Sequence, residues 1–157
     1  MHTLVLFVWL ALCACQDATH RRISNWLTLG GCALALVWLS IAGTTWLGAR
    51  PVEAAFAAFL ALLLTLPGYW LKRLGAGDVK LLLFIALTST PRTLLFCIVG
   101  AGAAYLVWAM TTRRLWHRIP SKIQRYIPML APEHRHEFPF APFLLVGFLT
   151  DQFHFSP

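Results

Sequence analysis

Two aspartates lie beside apolar runs, in positions where a carboxylate could do chemistry. Asp78 follows two glycines, Gly75 and Gly77, and stands directly before a strongly apolar run. Asp17 lies at the end of an earlier apolar run and is the only acidic residue before Glu53. A charged side chain at the edge of a membrane segment is costly to place, so each of these aspartates is a candidate functional residue.

If the two carboxylates lie close together in the fold, they can act as an acid–base pair. Two neighbouring carboxylates cannot both stay ionised near neutral pH, so such a pair shares a proton. The ionised member can activate a water molecule, and the protonated member can polarise a scissile carbonyl, as in an aspartic protease. From the residues alone two alternatives stay open. Each aspartate could cap a helix or pair with a nearby basic residue, or the two could bind ions in a small proton-coupled carrier.

The elements that carry these aspartates are predicted to lie in a membrane. Hydrophobic residues make up 59% of the chain and charged residues 12%, which is about half the charged fraction of a soluble domain. Six apolar runs predict an all-α, polytopic membrane protein with one domain over residues 1–157. The runs cover residues 4–15, 26–46, 52–70, 79–87, 93–110 and 140–149. The first run is short, but its basic residues follow it rather than precede it, so we expect a retained helix and not a signal peptide.

The basic residues predict the orientation of these segments. With an outer N-terminus and six crossings, all but two of the 13 lysines and arginines fall in inner loops; the exceptions are Arg50 and Arg92. The positive-inside rule therefore favours an N-out, C-out protein of the bacterial inner membrane. It also accounts for the net charge of +7, so no nucleic-acid partner is expected. Two full spans separate Asp17 from Asp78, which places both at the cytoplasmic edge.

Residues 111–138 form the one sizeable loop, which is predicted to be cytoplasmic. Its basic and apolar residues are typical of a segment that rests on anionic membrane lipid. His134 and His136 lie in this loop, and their proline-bounded basic surroundings favour solvated side chains over metal ligands. The four cysteines lie in apolar runs and lack the paired spacing of a zinc knuckle. We expect no metal and no cofactor.

Three segments, in order along the chain, resemble the prepilin peptidases, the type IV leader peptidase family of membrane aspartic proteases. Residues 75–81 are similar to the family's glycine-x-glycine-aspartate signature with its lysine and leucine continuation. Asp17 with residues 21–27 is similar to the first catalytic aspartate and its arginine-isoleucine-proline-asparagine sequel. Residues 138–144 are similar to a late proline-phenylalanine-glycine/alanine-proline segment.

The resemblance implies cleavage of the basic leader peptide from type IV prepilins or pseudopilins at the cytoplasmic membrane face. Asp17 and Asp78 would be the catalytic pair, with Gly75, Gly77 and Lys80 as the supporting motif and no metal. The oligomeric state is left open by the sequence.

The sequence departs from the family pattern at two places. Ser24 replaces the usual proline before Asn25, a change expected to affect only a turn. The large loop with two CxxC pairs that precedes the first aspartate in bifunctional members has no counterpart here. The chain therefore resembles the short, peptidase-only form found in tight-adherence pilus systems, and N-methylation of the product is not expected.

Overall fold

The computed structural model describes residues 2–20, 23–72, 74–115 and 139–155. Within these ranges every regular element is an α-helix, which confirms the predicted all-α fold class. The helices are α1 His2–His20, α2 Asn25–Ala42, α3 Pro51–Trp70, α4 Ala76–Thr88, α5 Pro91–Leu115 and α6 Ala141–Phe155.

Four of these helices are long and apolar enough to cross a membrane: α1, α2, α3 and residues 91–111 of α5. Helix α1 has 19 residues and is about 28 Å long at 1.5 Å per residue, so it exceeds the short run predicted for it. Helices α4 and α6 have 13 and 15 residues. At about 20 and 22 Å they are shorter than a hydrocarbon core of about 30 Å. The count of six crossings and the N-out, C-out orientation stay predictions.

The contacts within the chain divide it into two compact units. The first unit consists of Met1–Trp9 and Ser24–Leu95, and the second of Leu10–Ile23 and Phe96–Pro157. Asp78 therefore belongs to the first unit and Asp17 to the second. The expectation of one peptidase domain over residues 1–157 stays a prediction.

Helix α4 forms the core of the first unit, where it packs against α2 and α3. Its apolar residues with at most 2% exposure are Leu81, Leu82, Phe84, Ile85 and Ala86. The buried residues of α3 are Ala54, Ala57, Ala61 and Thr65. Their spacing of three and four residues puts them on one face of the helix. Small residues on such a face let membrane helices approach closely.

An aromatic cluster surrounds Phe84 in this unit. The rings of Trp9 and Trp46 each lie 5.8 Å from the Phe84 ring, between centroids, and Trp46 meets it edge-on. The prediction that the second span continues to Trp46 is wrong. Helix α2 ends at Ala42 because Gly43 adopts the left-handed conformation, with φ of 67°, and so caps the helix. Trp46 lies four residues beyond this end and packs on the ring of Phe84.

In the second unit α5 and α6 pack backbone against backbone. A Cβ atom built on Gly100 would lie 2.6 Å from Cα of Gly147, and one built on Gly147 would overlap the carbonyl oxygen of Cys97. Tyr105 and Phe143 add an edge-on ring contact with centroids 5.8 Å apart. Only glycine at both positions permits this closeness, so the two helices have a fixed register.

Helix α5 extends beyond its predicted end at residue 110 and continues to Leu115. The first residues of the predicted 111–138 loop are therefore helical. Residues 116–138, with His134 and His136, lie outside the described residues, and the prediction of a lipid-bound cytoplasmic loop stays a prediction.

Candidate active site

Asp17 lies in the last turn of α1 and is almost fully buried, with 4% of its surface exposed. A buried carboxylate needs hydrogen-bond donors to replace the water it has lost. The backbone N–H of Ala141, the first residue of α6, donates to Oδ2 of Asp17 over 2.9 Å. The structure thus joins the first aspartate to the late proline-flanked segment, 124 residues further along the chain.

The first turn of α6 explains why this N–H group is available. The first N–H groups of any helix have no acceptor one turn earlier. Here the N–H groups of Phe143 and Leu144 both donate to the carbonyl of Phe140, over 3.2 and 3.1 Å, and Pro142 has no N–H group. The N–H of Ala141 therefore needs an acceptor outside the helix, and Asp17 supplies it at the positive end of the helix dipole.

Asp78 is the third residue of α4 and is half-buried. Its Oδ2 accepts a hydrogen bond from the backbone N–H of Gly75 over 3.1 Å. The N–H of Asp78 in turn donates to the carbonyl of Gly75 over 3.1 Å, so the carboxylate folds back over the start of its own helix as in a capping box. Gly77, the second residue of α4, is also half-buried.

Glycine is needed at position 75 because a side chain there would crowd Asp78, and not because of its backbone angles. Gly75 has φ of −76° and ψ of 151°, a conformation open to any residue. A Cβ atom there would lie only 3.2 Å from Oδ2 of Asp78. A bare backbone at this position lets the carboxylate approach.

The structure also brings the supporting lysine to the segment that follows Asp17. Nζ of Lys80 donates to Oδ1 of Asn25 over 2.9 Å, and Asn25 is the first residue of α2. Cys32 lies on α2 two turns after Asn25, and its Sγ donates to the carbonyl of Lys80 over 3.8 Å. Two of the three segments singled out in the sequence therefore meet within the first unit.

Ser24 has a larger role than the sequence suggested. It is the N-cap of α2, where its side chain accepts a hydrogen bond from the N–H of Trp26 over 3.3 Å. Proline, the usual residue at this position in the similar family, has no side-chain oxygen to do this. A serine directly before an apolar run is itself a helix-start signal, so the role was available in the sequence.

Helix capping is thus observed for both aspartates, which is the structural alternative weighed above. A capping role does not exclude chemistry, because a carboxylate has two oxygens with about four sites that accept hydrogen bonds. The role of Ala141 had no side-chain signal in the sequence, since only its backbone takes part.

Comparison with known proteins gives one match. The sequence model of the Type IV leader peptidase family matches residues 4–110, more than half of the chain. The chain belongs to the type IV leader peptidase family. It matches no curated protein and no solved structure.

Membership in the leader peptidase family implies a peptidase, and with four membrane-length helices it indicates a multi-pass membrane protein. The matched range includes Asp17 and Asp78 together with Asn25 and Lys80, but ends before α6. Because the two aspartates of this leader peptidase lie in different compact units, their pairing stays a prediction from the sequence. Among the described residues, no group of three or more histidine, cysteine, aspartate or glutamate side chains is placed to hold a metal ion.

Proposed function

We propose that this leader peptidase is an aspartic endopeptidase of the inner membrane. In this proposal it cleaves the basic leader peptide from type IV prepilins or pseudopilins at the cytoplasmic membrane face. The observation that carries the proposal is that the family match contains both aspartates, each held at the N-terminus of a helix. The positive-inside distribution of lysine and arginine supports the cytoplasmic side.

Asp17 and Asp78 divide the chemistry between them in this proposal. The ionised carboxylate takes a proton from a water molecule, whose oxygen attacks the scissile carbonyl carbon. The protonated carboxyl donates a hydrogen bond to the carbonyl oxygen as negative charge develops there. When the tetrahedral intermediate collapses, the C–N bond breaks, and the carboxyl that took the proton from water gives it to the leaving nitrogen. The products are a leader with a new carboxylate and a mature protein with a new amine.

The hydrogen bonds described above favour this use of the carboxylates. Each aspartate has Oδ2 tied to a backbone N–H, from Ala141 or from Gly75, so its orientation is set by a helix start. A fixed orientation is what a general acid or base needs to reach its proton over hydrogen-bonding distance. No metal or cofactor takes part in the proposed reaction.

Charge also limits how the substrate is held. A prepilin leader is basic, so the lysines and arginines of the inner loops repel it and are better assigned to topology and to anionic lipid. The two aspartates are the groups with the charge to hold the leader.

The test is leader cleavage by Asp17→Asn and Asp78→Asn, co-expressed in membranes with a prepilin. Asparagine has the size of aspartate and still accepts a backbone N–H, so both variants keep the observed caps while losing the proton-transfer group. We expect cleavage to fall to background in each. Glu53→Gln, which neutralises a carboxylate in the first turn of α3, is the control and retains cleavage. Cleavage that survives either aspartate variant overturns the aspartic mechanism.

A second assay separates the peptidase from the carrier considered above. The purified wild-type protein is placed in proton-tight vesicles and tested for proton movement and for leader cleavage. The proposal expects cleavage without proton movement. Proton movement that both aspartate variants abolish, with no cleavage of any candidate leader, assigns the aspartates to a carrier instead.

A further inference from the structure

The contact between Ala141 and Asp17 links the active-site candidate to a part of the chain beyond the family match. The match ends at residue 110, and α6 begins at Ala141. Nevertheless α6 provides the backbone N–H group that donates a hydrogen bond to Oδ2 of Asp17. The donor and acceptor are both buried, with 1% of Ala141 and 4% of Asp17 exposed. Solvent therefore does not readily replace this bond.

The first turn of α6 presents a single N–H group at this place. Pro142 contributes no donor, and the N–H of Phe143 is used by the carbonyl of Phe140. Within this turn, the N–H of Ala141 is therefore the donor to Asp17, with one position and one direction. Such a donor restricts the rotation of the carboxylate about its χ2 torsion, which is otherwise broad.

The position of that N–H is set by the packing of α6 on α5. The close contact of Gly147 with Gly100 prevents the two helices from moving closer, and the ring contact of Phe143 with Tyr105 lies near the start of α6. Interlocked backbones resist sliding because any shift brings atoms into overlap. The register of α6 therefore fixes where its first N–H lies.

We propose that the first turn of α6 is a positioning element of the active site. The N–H of Ala141 holds Oδ2 of Asp17 so that the carboxylate keeps the orientation needed to exchange a proton with water. Ala141 is a positioning residue, since its backbone acts through Asp17. This inference rests on the proposed catalytic function of Asp17.

The test removes the N–H and leaves the rest of α6 in place. Ala141→Pro deletes the donor at the first helical position, where proline is well tolerated. Because the site is buried, a second variant avoids the proline ring: an amide-to-ester replacement at Ala141, introduced as lactic acid by nonsense suppression during cell-free translation into lipid nanodiscs. Ala141→Gly keeps the N–H and serves as the matched control.

We expect kcat for a prepilin to fall about 10- to 100-fold in the ester variant, the loss of one hydrogen bond to a charged group. KM stays within about twofold, since the leader itself is not contacted. Ala141→Gly retains kcat within a few-fold. Ala141→Pro follows the ester variant if it folds. A purely structural role lowers the yield of folded protein and leaves kcat per folded molecule unchanged.

Unchanged kcat per folded molecule in the ester variant overturns the inference, whatever the proline variant does. That outcome is distinct from failure of the proposed function, which is decided by Asp17→Asn. If Asp17→Asn still cleaves, Asp17 is not catalytic. If Asp17→Asn is inactive and the ester variant is as active as wild type, Asp17 is catalytic but α6 does not position it.

Discussion

The contact between α5 and α6 makes a sharp prediction about two glycines that lie two residues apart. A Cβ atom on Gly100 would lie 2.6 Å from Cα of Gly147 and 3.2 Å from Oγ1 of Thr150. A Cβ atom on Gly102 would meet nothing within 4 Å. Gly100→Ala and Gly102→Ala therefore add the same methyl group to the same helix, and only the first meets backbone of the partner helix.

The magnitude follows from two opposing effects. Adding a methyl group to a close-packed contact costs about 1–3 kcal/mol. The upper end applies at Gly100, because the obstructing atom belongs to backbone and cannot rotate away. Alanine is favoured over glycine inside a helix by about 1 kcal/mol. Gly100→Ala should therefore lower the free energy of unfolding by about 2 kcal/mol, and Gly102→Ala should raise it by up to about 1 kcal/mol.

Thermal unfolding of the purified protein, followed by circular dichroism in one detergent, checks this difference. For a chain of 157 residues, a difference of about 3 kcal/mol between the variants corresponds to roughly 6–12 °C in Tm. Equal Tm values for the two variants, or a Gly100→Ala protein at least as stable as wild type, would show that α5 and α6 do not pack backbone against backbone. Gly100→Ala should also lower leader cleavage, since α6 carries the N–H that Asp17 accepts.

Two further pairs of substitutions test the first unit. Asn25→Leu removes the acceptor of the Lys80 ammonium and should reduce cleavage several-fold, whereas Asn25→Asp keeps an acceptor and should stay active. Because Asn25 is exposed, both Asn25 variants should leave the free energy of unfolding within about 1 kcal/mol of wild type. Equal cleavage activity of the two variants would contradict a role for the hydrogen bond between Lys80 and Asn25. Gly31→Ala places a Cβ atom 2.9 Å from the buried ring of Phe84 and should lower Tm. A Cβ atom on the neighbouring Gly30 would meet nothing within 4 Å, so Gly30→Ala should not lower Tm. Equal changes in Tm for the two variants would refute the packing of Gly31 against Phe84.

The described helices were largely predictable, because apolar runs and their flanking polar residues are local signals. Predictions failed at ends where a single residue decides the geometry. Gly43 ends α2 before Trp46, and the apolar side chains of Trp46 and Leu47 give no hint that the chain turns there. The length of α1 was underestimated because Gln16 and Asp17 interrupt the apolar run, although the helix continues through them to His20.

The site was predictable only where its contacts are local. The cap made by Asp78 follows from its place three residues after Gly75, which is a known helix-start spacing. The bond from Lys80 to Asn25 spans 55 residues and the bond from Ala141 to Asp17 spans 124. Hydrophobic periodicity in a single sequence does not reveal contacts between residues so far apart along the chain. A backbone N–H donor also cannot be identified from the type of residue that carries it.

The observed caps also change what a substitution at either aspartate means. Replacing Asp17 by alanine removes a proton-transfer group and, at the same time, leaves the buried N–H of Ala141 without an acceptor, which costs about 1–3 kcal/mol. Loss of cleavage in such a variant could come from either effect. Asparagine separates them, because it preserves the acceptor and removes the acid. A stable, inactive Asp17→Asn protein beside a destabilised Asp17→Ala protein would therefore establish that one carboxylate serves both the fold and the reaction.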